Sequence, residues 1–161
     1  MGKRSREELL QMIWSLQNDA YALMYEYDAM PHRYGDYILY QAEAHMVDLI
    51  ALYPGITATD LASILRISPS ACSQTIRKLR EKGLVEQLRN RVNNRQFQLR
   101  LTETGELLYK EHAAFNDDCQ QKTFSKLDEF TDAELELYTQ VQNRINQAYV
   151  DDLRRSRDRF A

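Results

Sequence analysis

The run from Thr57 to Thr102 constrains this chain more than any other, because it sets two short helical patterns, a glycine stop and two strand patterns in immediate succession. Leu61, Ile64 and Leu65 recur at three and four, the spacing that lines one face of a helix. Thr57 precedes that helix and Asp60 follows three residues later. This is a capping arrangement: the hydroxyl accepts from a backbone N–H that has no helical partner, and the acid favours the positive end of the dipole. Arg66-Ile67-Ser68 interrupts the pattern. Ser68 then serves as a new N-cap, and Pro69 occupies the first helical position, where its missing N–H costs nothing. The spacing predicts a second helix from Pro69 to about Lys82, ended by Gly83, which is free to adopt positive φ.

The second helix has two faces. Cys72, Ile76 and Leu79 fall four and three apart and are expected to point inward, while Ser70, Ser73, Gln74, Arg77 and Lys78 lie opposite. Small hydroxyls, one amide and two cations suit the major groove: the hydroxyls let backbone approach, the cations meet phosphate, and the amide pairs with adenine. Taken alone, the same face also suits a solvated amphipathic helix. The next segment weighs against that. Leu84-Val85-Glu86 and Phe97-Gln98-Leu99-Arg100-Leu101 alternate apolar and polar, which is strand periodicity. Between them Arg89-Asn90-Arg91-Val92-Asn93-Asn94-Arg95 reads as a turn-rich tip able to put a cation into the minor groove. Residues 63–100 hold nine basic side chains against two acidic ones, a net of +7 in a chain whose formal charge is −3. An acidic chain with one strongly basic segment has its electrostatic footprint there. The candidate DNA contacts are therefore Ser68, Ser70, Ser73, Gln74, Arg77 and Lys78 on the helix, with Arg89, Arg91, Asn93, Asn94 and Arg95 on the hairpin.

The order helix, helix-turn-helix, basic wing, then Leu101-Thr102-Glu103-Thr104-Gly105 resembles the multiple antibiotic resistance regulator (MarR) family. The resemblance covers about residues 36–110, with Pro54-Gly55-Ile56 before the first motif helix and Lys82-Gly83-Leu84-Val85 after the second. The family's wing usually carries an Asp two residues before an Arg; here the pair is Asn93 and Arg95, and an amide orients a guanidinium more weakly than a carboxylate does. The resemblance implies a sequence-specific transcriptional regulator, most often a repressor, with a small-molecule inducer bound in a crevice between dimer helices and DNA-binding module. Tyr25, Tyr27, Tyr34, Tyr37 and Tyr40 either line such a pocket or pack a dimer interface.

The flanking segments complete the expected architecture. A helix from Ser5 to about Ala29 repeats Leu9, Ile13, Leu16, Ala20, Leu23 and Tyr27, widened by Trp14, Tyr21 and Tyr25. That stripe is broad for the surface helix of a monomer. Pro31 to Gly35 is a break, and a second helix is predicted from Asp36 to about Leu52, burying Ile38, Leu39, Ala42, Met46, Leu49 and Ile50. After the wing, Thr102 caps a helix to about Leu127, and Thr131 with Glu134 caps a last one that ends in Arg154, Arg155, Arg157 and Arg159. The fold class is thus mainly α with a small β-hairpin: one domain over 1–161, with a winged helix-turn-helix at 36–101 and dimerisation helices at 5–30 and 102–160. Apolar end helices imply a homodimer, and a two-fold dimer sets its recognition helices about one DNA turn apart, so the operator is expected to be an imperfect palindrome.

Other chemistries find less support. Two cysteines, Cys72 and Cys119, give no disulfide framework, and Cys72 is expected as a small core residue. No apolar run approaches a membrane span, and Met1-Gly2-Lys3-Arg4 is followed by Glu7 and Glu8 rather than an apolar stretch, so the expected compartment is the cytoplasm. There is no glycine-rich phosphate loop, no H-E-x-x-H and no nucleophile elbow, and five glycines in the chain argue against a loop-built active site; no enzyme activity and no cofactor are expected. Some members of the resembled family sense zinc through residues in these regions, with a second histidine where this chain has Asn116. A zinc-type regulator drawing on Glu43, His45 and His112 is therefore an alternative, although Glu43 and His45, two apart, share no helix face. The plainer expectation has His45 partly buried and bonded to a neighbour, His112 at the surface or in a crevice, and no metal bound. A winged-helix module for protein contact is the remaining alternative, and it would not need the concentrated basic charge.

Overall fold

A computed structural model of the chain describes residues 4–89 and 97–160. Helix α1 (Arg6–Ala29) leads into a hairpin of β1 (His32–Tyr34) and β2 (Tyr37–Leu39), followed by α2 (Gln41–Leu52), α3 (Ala58–Leu65) and α4 (Pro69–Glu81). The wing strands β3 (Val85–Arg89) and β4 (Phe97–Leu101) come next, then α5 (Glu103–Ser125) and α6 (Asp132–Phe160). The chain divides into two compact units, Met1–Phe115 and Asn116–Ala161. The fold is mainly helical with a small antiparallel wing hairpin, as the sequence patterns predict, and with a second hairpin, β1–β2, that they do not.

One prediction needs correction. The helix expected from Asp36 begins only at Gln41, because residues 32–39 form a hairpin. Tyr34 pairs with Tyr37 across a two-residue loop, and Gly35 has φ +53, a conformation open to glycine at no steric cost. Ile38 and Leu39 therefore alternate as strand residues, Ile38 exposed and Leu39 fully buried, rather than sharing a helix face. The buried face of α2 is Glu43, Ala44, Met46, Val47 and Ile50, with Ala42 outside it. On α3, Leu61 and Ala62 are buried, whereas Ile64 is half exposed.

The core of the first unit gathers around the two motif helices. Leu61 of α3, Cys72, Ile76 and Leu79 of α4, Leu84 and Val85 at the start of the wing, Leu99 and Leu101 of β4, and Leu108 of α5 form one cluster with Met46, Val47 and Ile50 of α2. Burying side chains of this size contributes roughly 1.5–3 kcal/mol each. The wing register sets Val85 opposite Leu101 and Gln87 opposite Leu99, so the inward residues of both strands meet the same helices. The amide of Leu99 also donates to the carbonyl of Ile56 (2.9 Å), and Thr57 bridges to Gln98, which adds a short third edge to the wing.

The junction between wing and α5 is held by one threonine. Thr102 Oγ1 donates to the Gly83 carbonyl at 2.6 Å and accepts from the Gly105 amide at 3.1 Å, capping α5. The Thr102 amide donates to the Leu84 carbonyl at 3.0 Å. Gly105 packs so closely here that an added Cβ would lie 2.1 Å from that same carbonyl oxygen. The glycine of the Leu-Thr-Glu-x-Gly run is therefore demanded by contact, not by backbone torsion.

Helix α1 has no buried residue: its apolar side chains include Trp14 at 59% exposed and Leu23 at 67%. Helix α6 likewise buries none of Leu137, Tyr138, Val150 or Leu153. Its start is capped as predicted, Glu134 accepting from the backbone N–H of Thr131 at 2.8 Å and from its hydroxyl at 2.7 Å.

Gly105→Ala should destabilise the protein by about 2–3 kcal/mol through overpacking against rigid backbone. Gly83→Ala, where open space surrounds the Cβ position and φ is +71, should cost about 1 kcal/mol through torsion alone. Chemical denaturation of both variants checks this ordering, and equal losses would mean that the wing–α5 junction relaxes freely.

Candidate nucleic-acid interface

Helix α4 begins as the sequence requires. The Ser68 hydroxyl accepts from the Ala71 amide at 3.2 Å, with Pro69 in the first turn. It ends at Gly83, where the Leu84 amide reaches back to the Leu79 carbonyl (3.0 Å) in the manner of a glycine-terminated helix. Cys72, Ile76 and Leu79 are buried, which rotates Ser70, Ser73, Gln74, Arg77 and Lys78 outward, and all five are exposed together with Ser68. Arg77 stands 3.8 Å from Glu81 across one turn, both side chains largely solvated, so this pair restrains the guanidinium little. Ser70 Oγ lies 3.0 Å from Ser68 Oγ.

Helix α3 is fixed against α4 by directional bonds as well as packing. The Thr57–Asp60 box forms in both directions: Asp60 accepts from the Thr57 backbone N–H (2.9 Å) and hydroxyl (2.7 Å), and the Asp60 amide donates to the Thr57 hydroxyl (3.3 Å). Those bonds, the side-chain one first, hold the Asp60 carboxyl below its ordinary value. The Cys72 thiol donates to the Ala58 carbonyl at 3.3 Å, joining the first turn of α4 to the first residue of α3. Burial pushes the Cys72 thiol up, so it stays protonated and behaves as a core side chain. Between the helices Arg66 takes a left-handed conformation (φ 54, ψ 39) and the Ile67 amide donates back to Ala62 (3.1 Å). This exposed arginine in the turn is a cation that helical spacing alone does not single out.

The wing contributes Arg89, exposed at the end of β3. Arg91, Asn93, Asn94 and Arg95 fall outside the described residues. Among the described basic side chains of residues 63–100, Arg100 and Lys82 are paired with acids outside α4. Arg100 is bonded to Glu86 directly across the hairpin (2.6 and 2.8 Å), and Lys82 to Glu43 of α2.

The histidines sit differently from expectation. His112 is completely buried, its Nδ1 2.9 Å from Asp48 Oδ1, with Tyr34 edge-on to the ring. It is a core residue joining α5 to α2, not a surface or crevice residue. A polar ring is tolerated at that depth because a carboxylate meets it. His45 is exposed rather than partly buried, and contacts Gln41 at 3.0 Å. Glu43, His45 and His112 are thus each bonded to a different partner, and among the described residues no group of three His, Cys, Asp or Glu side chains is placed to hold a metal ion. Of the five tyrosines, Tyr34 is buried against His32, His112 and Phe115, while Tyr25 and Tyr40 are exposed. A cavity of about 430 Å³ lies elsewhere, between the end of α2, the wing strands and the start of α5; Ile50, Leu88, Leu99, Arg100, Tyr109 and Lys110 line it, and none of the five does.

Comparison with known proteins places these elements. The model of the MarR family matches residues 41–96. The HTH-type transcriptional regulator PetP of Rhodobacter capsulatus is 34% identical over 80 residues, which are 50% of this chain and 45% of PetP, so the match spans less than half of that relative's length. Two solved structures share the fold. ZitR of Lactococcus lactis, described as a zinc-responsive MarR family member, superposes with a TM-score of 0.74 at 22% identity, over 88% of this chain and 99% of that one. FabT of Streptococcus pneumoniae, solved in complex with DNA, gives 0.67 at 21% identity, over 92% and 99%.

The lowered Asp60 carboxyl makes the α3 cap sensitive to acid. A group whose folded value is depressed contributes stability above its unfolded value and loses it as pH falls through the folded one. Unfolding followed from neutral pH into the acid range should therefore show a smaller loss in Asp60→Asn than in the parent, and identical profiles would mean the box contributes nothing. Cys72 should resist thiol reagents at neutral pH until the protein is unfolded.

Proposed function

We propose that the chain is a transcriptional regulator of the MarR family and that it binds double-stranded DNA as a homodimer, placing α4 in the major groove and the β3–β4 wing in the adjacent minor groove. The observation that carries this reading is the division of α4. Its apolar side is fully consumed by the core, and its other side offers two cations, one amide and hydroxyls to solvent. Ser68, Ser70, Ser73, Gln74, Arg77 and Lys78 are its proposed DNA contacts on the helix, with Arg89, Arg91, Asn93, Asn94 and Arg95 on the wing. Gln74 has the two-pronged geometry that pairs with adenine; the cations meet phosphate and set register.

The homodimer is supported by the bare apolar faces of α1 and α6, whose tryptophan, leucines and tyrosines stand in water in the single chain. Exposed apolar surface of that extent marks an interaction site. Two-fold symmetry would make the operator a palindrome, and occupancy of such a site in a promoter would make the protein a repressor. DNA as the partner is further supported by PetP, a transcriptional regulator, and by FabT, whose structure holds DNA. Release by a small ligand completes the reading; the cavity beside the wing, apolar with Arg100 and Lys110 at its wall, is of a size that takes one.

Fluorescence anisotropy across a salt series, with DNA from upstream of the protein's own gene against scrambled DNA, tests this directly. Tight, steeply salt-dependent binding that prefers the upstream duplex is expected. Arg77→Ala should reduce the log–log salt slope by about one. Arg95→Ala should weaken binding several-fold, about 1 kcal/mol or more. Gln74→Ala should relax preference at one position per half-site. An unchanged sequence preference in Gln74→Ala would remove that residue as a base reader, and weak binding of the parent to both duplexes would remove the reading as a whole.

A further inference from the structure

Lys82 belongs to the basic segment by sequence, yet its ammonium group is turned inward. It donates to both carboxylate oxygens of Glu43, at 2.8 and 3.0 Å, and to the Ile38 carbonyl at 2.9 Å. All three N–H donors of the ammonium are thereby satisfied. The Glu43 side chain is only 8% exposed, and its Oε2 also accepts from the Tyr40 backbone N–H at 3.0 Å, at the start of α2. A single carboxylate thus joins three elements: the C-cap of α4, the first turn of α2 and, through the lysine, strand β2.

The apolar face of α4 is held by forces that have little direction. Cys72, Ile76 and Leu79 keep the helix against the core, but such contacts constrain its roll and slide less sharply than bonds of fixed geometry do. Directional bonds remove that freedom. At the first turn of α4 the bond is Cys72 to Ala58; at its C-cap it is Lys82 to Glu43 and Ile38. Glu43 is buried while the Lys82 side chain is 31% exposed; such a pair contributes little net stability, because desolvation offsets the attraction, whereas removing the lysine leaves a buried carboxylate without compensation. Its consequence is geometric.

We propose that Glu43 and Lys82 form a positioning clamp that fixes the angle at which α4 is presented to DNA, without either residue touching DNA. This rests on the DNA-binding reading above. The clamp gives sequence selectivity to a helix whose phosphate-directed cations would otherwise bind any duplex, since base-edge contacts require tighter placement than phosphate contacts do.

The test compares the parent protein with Glu43→Gln, which keeps an oxygen for the Tyr40 N–H, with Lys82→Met, and with the double variant. Each is titrated by anisotropy with the preferred and the scrambled duplex over a salt series, and hydrogen exchange is followed at the amides of residues 79–82. Each single variant should lose affinity for the preferred duplex by about tenfold, and for scrambled DNA by no more than about twofold; the double variant should be no weaker than the weaker single, as for neighbours acting as a unit. The salt slope should stay unchanged, and the amides should exchange faster. A slope reduced by about one in Lys82→Met, with Glu43→Gln behaving as the parent, would make Lys82 a phosphate contact and overturn the clamp. Equal losses on both duplexes, or unchanged exchange, would overturn it as well. If the parent binds neither duplex, the DNA-binding reading fails, while the exchange measurement still decides whether the pair holds α4. Should Lys82→Met fail to fold, the double variant, which leaves no unpaired charge, carries the comparison.

Discussion

The backbone carbonyl of Leu84 is the point on which the winged helix-turn-helix module depends. It follows the glycine that ends α4, accepts the Thr102 amide at 3.0 Å, and leaves room for no side chain at Gly105. Three elements meet within one residue's reach: the end of α4, the base of the wing and the first turn of α5. Thr102 closes the arrangement by bonding Gly83 and Gly105 with one hydroxyl. Because the wing hairpin returns to this point, its register is set at its base, where Val85 faces Leu101, and the strands carry that register outward to Arg89 and Phe97.

From that base the polar chemistry separates into structural and exposed sets. Capping pairs Thr57–Asp60 and Thr131–Glu134 satisfy N–H groups at helix starts, while the Asp48–His112 and Glu43–Lys82 pairs satisfy the buried His112 ring and the buried Glu43 carboxylate. Arg100 is absorbed by Glu86 across the hairpin. The outward face of α4 keeps Ser70, Ser73, Gln74, Arg77 and Lys78 exposed, with Arg80 exposed beside them, so the cations presented there are fewer than the net charge of the segment implies. Counting charge along the sequence locates the electrostatic footprint; only the pairing partners show which cations remain available to a polyanion.

Much of this was legible in advance for local reasons. Both motif helices, their caps and the glycine stop follow from Thr57, Asp60, Ser68, Pro69 and Gly83, residues whose roles depend on neighbours three or four positions away. The inward residues of α4 follow from period alone. The hairpin at residues 32–39 was not legible, because Ile38 and Leu39 fit a helical stripe as readily as a strand, and the turn at Gly35 decides between them. His112 was misplaced for a different reason: an isolated histidine on a helix gives no sign of its depth, and its partner Asp48 is 64 positions away in the chain.

The sequence by itself determined the secondary structure of the helix-turn-helix and wing, the polar face of α4 and the basic character of the segment, since these are set by spacing, capping and composition. The tertiary structure alone decided that Lys82 faces Glu43 rather than solvent, that Gly105 is required by the Leu84 carbonyl, and that His112 lies in the core. Those facts depend on residues distant in the chain being brought within bonding reach, and hydrogen bonds and close contacts act over a few ångströms whatever the sequence separation.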